Sequence, residues 1–144
     1  MPVGIEKAWA FFSSAANLQT ITPPDLGFQV ISTGGDTICP GQIIEYRLKP
    51  LLNIPVYWMT EITHVIPKEL FVDEQRFGPY NFWHHQHHFK SIEGGTEMTD
   101  MVHYRVPFRV LGDLVNSLVV KRQLKTIFEF RKSKIEALFG IWGS

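Results

Sequence analysis

Residues 111–139, LGDLVNSLVVKRQLKTIFEFRKSKIEALF, decide the fold of this chain, because they carry one uninterrupted helical pattern. Apolar residues recur with the α-helical period of about 3.6 residues, and charged residues fill the other positions. At about 1.5 Å per residue the predicted helix would be roughly 40 Å long, enough to lie across a whole β-sheet. The predicted apolar stripe consists of Leu114, Leu118, Leu124, Ile127, Phe128, Ile135 and Leu138.

The sequence before this helix has the period of two that is typical of β-strands. The clearest hairpin signal is the segment EGG at residues 93–95. Because the connections between consecutive strands are short, antiparallel pairing is predicted. Residues 50–53 are predicted to form a loop, and Pro107 is predicted to end the last strand. Turn residues divide the region into six predicted strands, at residues 28–32, 42–49, 55–65, 70–77, 82–91 and 96–106.

Two short helices are predicted before the strands. Residues 5–12 have helical apolar spacing, and a second short helix at residues 17–21 ends before Pro23. The order of elements predicts an α+β fold in a single domain, residues 1–144, with a curved antiparallel sheet wrapped around the long C-terminal helix. A strongly twisted sheet cannot contact a straight helix along its whole length, so we expect a ligand cavity between them.

Composition excludes several classes of function. Fourteen basic and fourteen acidic residues give a net charge of zero, whereas nucleic-acid binders usually have a basic excess, so no nucleic-acid partner is predicted. No apolar run is long enough to span a membrane, and no secretory signal pattern is present, so we expect a cytoplasmic protein. No glycine loop for phosphate is present, and no cofactor is predicted. The solvated face of the last helix is predicted to carry Lys121, Arg122, Lys125, Arg131, Lys132 and Lys134.

Four of the six histidines lie on one predicted strand, in the segment WHHQHHF at residues 83–89. Alternation along a strand puts Trp83, His85, His87 and Phe89 on one face, and the other three residues on the opposite face. The aromatic residues at both ends indicate that the first face is the interior one. The sequence therefore predicts that His85 and His87 point into the protein.

The strand before this segment is predicted to add a carboxylate to the same face. Phe71, Asp73, Gln75 and Phe77 alternate along it, and the two phenylalanines indicate that Asp73 and Gln75 also point inward.

The strand after it is predicted to add Asp100 and Tyr104. If Gly94-Gly95 forms a two-residue turn, His85 lies opposite Tyr104, and Asp100 shares the inner face.

These inward polar residues allow three interpretations. Two histidines at i and i+2 with an aspartate could bind zinc, but the segment lacks the spacing of a known zinc motif, so no metal site is predicted. A histidine with an aspartate and a tyrosine could perform general acid–base catalysis. The third interpretation is a buried network of mutually satisfied polar groups, which could also recognise the polar end of a ligand.

Several short strings, distributed along nearly the whole chain, resemble those of one known superfamily. They are IEKAWAFF at residues 5–12, ITPP at 21–24, GQII at 41–44, FVDEQ at 71–75, GPY at 78–80, WHHQHHF at 83–89, GT at 95–96, RQL at 122–124 and IF at 127–128. Together they resemble the ligand-binding bacterial branch of the SRPBCC superfamily, which includes START lipid-transfer domains, the birch-pollen-allergen type, polyketide cyclases and coenzyme-Q-binding proteins. The resemblance implies a helix-grip fold and a cavity, but no particular chemistry.

Three functions follow as hypotheses. The first is that the chain binds or carries an apolar small molecule, such as a lipid, a quinone or a polyketide-like compound. The second is an enzyme of the cyclase or dehydratase type, in which His85 acts with Asp73 or Asp100, and Tyr104 assists. The third is a protein-interaction module with an exposed apolar patch. The predicted ligand-binding residues are Phe11, Phe12, Tyr46, Trp58, Asp73, Gln75, Phe77, Trp83, His85, His87, Tyr104 and Phe128.

The resemblance also implies a strand before the first helix, which would close the sheet. Residues 1–4 are too few for a full strand of about five or six residues. We therefore expect that the sequence lacks its full first strand and has two open sheet edges, at residues 28–32 and 96–106. Unpaired edges recruit other strands, so a homodimer through an open edge is a further expectation.

Overall fold

The structure is a computed structural model that describes residues 1–49, 54–106 and 113–143, without the side chains of residues 113–117. A helix at Ile5–Phe12 (α1) is followed by two short 3-10 helices, at Ala15–Gln19 and Pro24–Leu26. Six strands and one long helix, Asp113–Phe139 (α2), complete the order of the described elements. The chain therefore has the predicted α+β helix-grip layout. The predicted loop at residues 50–53 and the predicted strand end at Pro107 lie outside the described residues.

The described strands form one antiparallel sheet in which each strand pairs with the next one along the chain. Apolar side chains alternate along them, which is why each strand has one face toward the core. The strands are β1 Gln29–Ser32, β2 Ile43–Leu48, β3 Val56–Ile66, β4 Leu70–Phe77, β5 Phe82–Ile92 and β6 Gly95–Arg105.

Irregular pairing positions bend the sheet around the core. In the β3–β4 pair, Met59 and Thr60 lie opposite Phe77 and Gln75, so Arg76 is an extra residue on β4. A second extra residue, Thr63 on β3, follows the pair Ile62–Asp73. Bulges of this kind increase the local twist and reverse the alternation of side chains beyond them.

The β5–β6 hairpin differs from its predicted register by two residues. Glu93 and Gly94 form the two-residue turn, and Gly94 has a φ of 80°, which glycine adopts without strain. As a result His85 lies opposite Val102 and His87 opposite Asp100, so the predicted pairing of His85 with Tyr104 is wrong. A shift of two residues preserves the faces, and His85 and His87 do point inward.

The long helix presents a partly different stripe from the predicted one. Val120, Leu124, Ile127, Phe128 and Ile135 are buried or partly buried, but Leu118 is 58% exposed and Leu138 is 47% exposed. The side chain of Leu114 lies outside the description. None of the described helices is long and apolar enough to cross a membrane.

The core joins α1 to the concave face of the sheet. Trp9 packs edge-on against Phe89 and Phe71, with ring centroids 5.3 and 5.9 Å apart. At the edge strand β6, Thr96 exchanges two 2.9 Å backbone hydrogen bonds with Met1. These two contacts hold the beginning of the described chain against the sheet.

Candidate functional site

The described residues enclose a cavity of about 150 Å³ between the sheet, the N-terminal helices and α2. The wall is mainly apolar and aromatic, with Tyr46 and Trp58 from the sheet and Leu124 and Phe128 from the helix. Its carboxylate, imidazole and guanidinium side chains, Asp73, His85, His87 and Arg131, lie on β4, β5 and α2. Such a surface suits an apolar molecule with a small number of polar atoms.

The cavity brings together nine of the twelve predicted ligand-binding residues. The other three, Gln75, Phe77 and Tyr104, lie outside the described wall. The nine on the wall are Phe11, Phe12, Tyr46, Trp58, Asp73, Trp83, His85, His87 and Phe128.

Four charged or titratable side chains form what we call the Asp-His cluster: Asp73, His85, His87 and Asp100. His85 Nδ1 lies 3.2 Å from Asp73 Oδ2, and His85 Nε2 lies 2.9 Å from Asp100 Oδ1. His87 makes the same two connections with its nitrogens exchanged, because Nε2 lies 2.8 Å from Asp73 Oδ2 and Nδ1 lies 2.9 Å from Asp100 Oδ1. Each imidazole is therefore placed between the same two carboxylates.

Neighbouring strands position the cluster. Asp73 on β4 lies directly opposite His85 on β5, and Asp100 on β6 lies directly opposite His87. The two imidazole rings lie 3.8 Å apart between centroids. Both histidines are almost fully buried, with 5% and 6% of their surface exposed. The cluster is therefore held by the most regular part of the sheet.

Burial and ion pairing act in opposite directions on the pKa values of Asp73, His85 and Asp100, and ion pairing prevails. Burial disfavours the charged form of Asp73, but His85 and His87 outweigh it and lower the pKa of this carboxyl below its ordinary value. The pKa of Asp100 is lowered by the same balance of burial against the two histidines. Burial opposes the charge on His85, yet Asp73 and Asp100 raise the pKa of its imidazole. The three directions agree on an ion-paired cluster.

Aromatic rings and one indole N–H contact the cluster. Phe71 stacks on His87 with centroids 4.0 Å apart, and Phe128 from α2 packs edge-on against His85 at 5.9 Å. Trp83 Nε1 donates a 3.3 Å hydrogen bond to Asp73 Oδ1, which leaves Oδ2 toward the histidines. The nitrogens of His85 and His87 and an oxygen of Asp73 lie within 4.8 Å of one another, so these three residues could hold a metal ion.

Two buried donors on the cavity wall have no hydrogen-bond partner among the described residues, Trp58 Nε1 and Arg131 Nε. His87 Nδ1 makes no hydrogen bond of regular geometry either, but its 2.9 Å contact with Asp100 Oδ1 pairs it within the Asp-His cluster. The guanidinium of Arg131 lies over the ring of Phe128, 5.2 Å from its centroid. Buried polar atoms are nearly always hydrogen-bonded in folded proteins, so unpaired ones grouped around one cavity need an explanation.

Two tyrosines on the wall stay neutral. Burial raises the pKa of Tyr80 to about 12. Burial also raises the pKa of Tyr46, whose hydroxyl lies 2.8 Å from Thr60 Oγ1.

The prediction that Phe77 points inward is wrong, because the extra residue at Arg76 reverses the alternation of β4. Phe77 is 62% exposed, and its ring lies against Tyr57 on the outer face. Gln75 precedes the bulge and tethers the next turn instead: its amide accepts from the backbone N–H of Tyr80 and donates to the carbonyl of Tyr80. Gln75 therefore positions Tyr80 on the cavity wall.

Tyr104 lies opposite Trp83 rather than opposite His85. Its ring packs against Tyr80 and Trp83, and it borders a separate surface depression with Asp100 and Phe128. Tyr104 therefore packs against two residues of the cavity wall without lining the cavity.

The sequence interpretation missed Arg131, which it assigned to the solvated face of the last helix. Arg131 lies four residues after Ile127 and three after Phe128, so helical spacing alone puts it on the inward stripe. Tyr80 was also missed, and no periodic signal could have found it, because it follows a turn.

The fold is shared with solved structures of very different sequence. The protein Ms6760 from Mycobacterium smegmatis is 18% identical, with a TM-score of 0.68 over 96% of this chain and 85% of that chain. A START superfamily protein from Mycobacterium smegmatis is 12% identical, with a TM-score of 0.65 over 96% of this chain and 93% of that chain. Ara h 8.0201 is 15% identical, with a TM-score of 0.60 over 94% of this chain and 92% of that chain.

The chain shares the helix-grip fold of these solved structures, which is the fold that the SRPBCC resemblance implies. No family model matches the sequence, and no curated protein matches it. At these identities the structural likeness is a likeness of fold, and function must be argued from the site itself.

Proposed function

We propose that the chain binds an apolar small molecule with an oxygen-bearing end in the cavity between the sheet and α2. Lipids, quinones and polyketide-like compounds belong to this class. The proposal rests on the two unpaired donors, Trp58 Nε1 and Arg131 Nε, on a mainly apolar wall. Leaving a buried donor unpaired costs about 1–3 kcal/mol, so a ligand oxygen that accepts from it recovers that free energy on binding.

The apolar part of the ligand has an aromatic enclosure. Tyr46 and Trp58 stack with ring centroids 5.8 Å apart, and Trp58 meets Trp83 edge-on at 5.2 Å. An apolar cavity of about 150 Å³ is large enough for a ring of the size of benzene. The cavity alone therefore accommodates a ligand of one ring or a short chain.

Larger ligands have a route toward the β6 edge. A groove of about 410 Å³ lies on the other side of Phe128 and Arg131, which border both spaces. A rotamer change at Phe128 would join the groove to the cavity, because that side chain lies between them. We propose that longer molecules extend through this opening.

Arg131 and Trp58 determine which polar end fits. The guanidinium and the indole N–H are donors only, so they select a carbonyl, a carboxylate or another acceptor oxygen. Binding is favoured over catalysis by His85, because both of its nitrogens already contact carboxylates and neither is directed at a substrate.

A matched pair of probes tests the proposal. Naphthoquinone and naphthalene have the same ring system and differ in the carbonyl oxygens, and calorimetry measures the affinity of each. We expect naphthoquinone to bind about five- to tenfold more tightly, since one hydrogen bond contributes about 1 kcal/mol. Arg131→Met should remove most of that preference, while Phe77→Leu on the outer face should leave it unchanged.

Two results would overturn the proposal. One is the absence of saturable binding of either probe, together with no bound small molecule in native mass spectrometry of protein purified without denaturant. The other is equal affinity for both probes, which would mean that the unpaired donors do not contact the ligand.

A further inference from the structure

We propose that Asp73, His85 and His87 bind one divalent transition-metal ion on the wall of the cavity. The ligand atoms would be Asp73 Oδ2, His85 Nδ1 and His87 Nε2. This inference goes beyond the proposed ligand binding and does not depend on it.

Two of the three distances between these ligand atoms are close to those of a coordination shell. In a tetrahedral zinc site with bonds of about 2.0–2.1 Å, neighbouring ligand atoms are about 3.3 Å apart. Asp73 Oδ2 lies 3.2 Å from His85 Nδ1 and 2.8 Å from His87 Nε2. All three ligand groups lie within 4.8 Å of one another, so small side-chain shifts suffice to admit an ion.

Asp100 is placed as the outer support that such a site needs. Histidines that bind a metal through one nitrogen usually present the other N–H to a carboxylate or carbonyl, which fixes the ring. Asp100 Oδ1 lies 2.9 Å from His85 Nε2 and 2.9 Å from His87 Nδ1, the nitrogens that face away from Asp73. One carboxylate therefore supports both imidazoles, and Trp83 supports the third ligand through Asp73 Oδ1.

A divalent ion would take the place of a proton in this arrangement. In the ion-paired cluster a proton on His85 satisfies Asp73, and an entering ion would displace it. When each neutral imidazole presents its N–H to Asp100, the lone pairs of His85 Nδ1 and His87 Nε2 are available to coordinate a cation together with Asp73 Oδ2. Asp73 and Asp100 together balance the charge of a divalent ion, which a buried site requires.

The donor set also defines the class of metal. Two imidazole nitrogens and one carboxylate oxygen suit zinc, iron, nickel or copper, whereas calcium and magnesium prefer oxygen alone. Asp73, His85 and His87 all border the cavity, so a fourth position would face it. Three protein ligands with an open position are typical of catalytic rather than structural metal sites.

The test uses untagged protein stripped with a chelator and then titrated with Zn²⁺ against a chromogenic chelator. We expect one Zn²⁺ per chain. His87→Gln and Asp73→Asn should each weaken binding at least about 100-fold, and Asp100→Asn should weaken it about 10–100-fold because it removes only the outer support. The double variant His84→Gln/His103→Gln removes the outer-face pair, whose rings lie 6.2 Å apart, and should bind as the wild type does.

A measurement on the wild type keeps the test independent of how the variants fold. Nitrogen-15 spectra of the imidazoles should show His85 and His87 shifting on addition of Zn²⁺, and His64 and His88 unchanged. A wild-type protein that binds no Zn²⁺ would overturn the proposal. So would binding that survives His87→Gln but is lost in the outer-face double variant, or shifts confined to the outer-face histidines.

Discussion

The two faces of strand β5 carry the same residue type in different roles. On the inner face His85 and His87 are buried between two carboxylates, in the Asp-His cluster. On the outer face Glu74, His84, Gln86 and His88 form what we call the outer row, a chain of hydrogen bonds of 2.7, 2.9 and 2.8 Å. Water can replace any bond of the outer row but none of the cluster, so the same contact distances imply different energies.

The largest expected difference comes from removing one carboxylate charge on each face. Asp73→Asn leaves the histidines without a full counter-charge in a buried site and should cost roughly 3–5 kcal/mol of unfolding free energy. Glu74→Gln, its neighbour on β4, faces outward and should cost less than about 1 kcal/mol. Urea unfolding in the presence of a chelator measures both without a metal contribution. Equal costs would show that the inner cluster is not an energetically distinct ion-paired unit.

Each face also has an aromatic ring stacked on a histidine. Phe71 stacks on His87 at 4.0 Å and is buried, whereas Phe82 stacks on His84 at 6.3 Å and is 50% exposed. Phe71→Ala should cost about 3 kcal/mol because it opens a cavity beside Trp9 and His87. Phe82→Ala should cost about 0.5 kcal/mol, the size typical of surface substitutions. Thermal and urea unfolding should both show the larger loss of stability for Phe71→Ala. A larger loss for Phe82→Ala would contradict the assignment of the main core to the inner face.

The faces of β5 could be predicted from the sequence because alternation and the flanking aromatic residues carry that information locally. Alternation also tolerates an error of two residues in the hairpin register. Asp100 therefore still shares the inner face and reaches the cluster, although the predicted pairing of His85 with Tyr104 is wrong. The α+β layout, a sheet followed by one long helix, could be predicted in the same way, from the change of period between the strands and α2.

Local patterns could not predict the features that depend on one extra residue or on tertiary context. The bulge at Arg76 turns Phe77 outward, and no residue type in that strand announces it. Each imidazole contacts both carboxylates because of the register between β4, β5 and β6. Local sequence patterns do not determine that register. The position of Arg131 could have been predicted. Its helical spacing from Ile127 and Phe128 puts it on the inward stripe, although its charge favours the solvated face.

Variants at two neighbouring aromatic residues on β3 distinguish an effect on ligand binding from an effect on stability. Trp58 faces the cavity with an unpaired N–H, while Tyr57 faces outward and donates a 2.6 Å hydrogen bond to Glu45. Trp58→Phe should weaken naphthoquinone binding by up to about tenfold, since one hydrogen bond contributes about 1 kcal/mol. It should cost less than about 1.5 kcal/mol of stability, because the N–H has no protein partner to lose.

The control for this variant is Tyr57→Phe, which removes a hydroxyl of similar polarity on the other face. It should leave the calorimetric affinity for naphthoquinone unchanged. An equal loss of affinity in both variants would assign the effect to the shape of β3 and not to the cavity donor.

The smallest effect is expected at the end of the outer row. His88 Nε2 donates to Gln86 Oε1 at 2.8 Å in a partly exposed position, so water can take over the bond when His88→Ala removes the ring. The variant should cost less than about 0.5 kcal/mol in urea unfolding. A double-mutant cycle with His84→Ala should give a coupling energy below about 0.5 kcal/mol, because the Gln86 amide lies between the two rings and hydrogen-bonds to both. A coupling energy above about 1 kcal/mol would instead show that the outer row is a cooperative network. The two faces of β5 would then differ in solvent exposure but not in the energy of their hydrogen bonds.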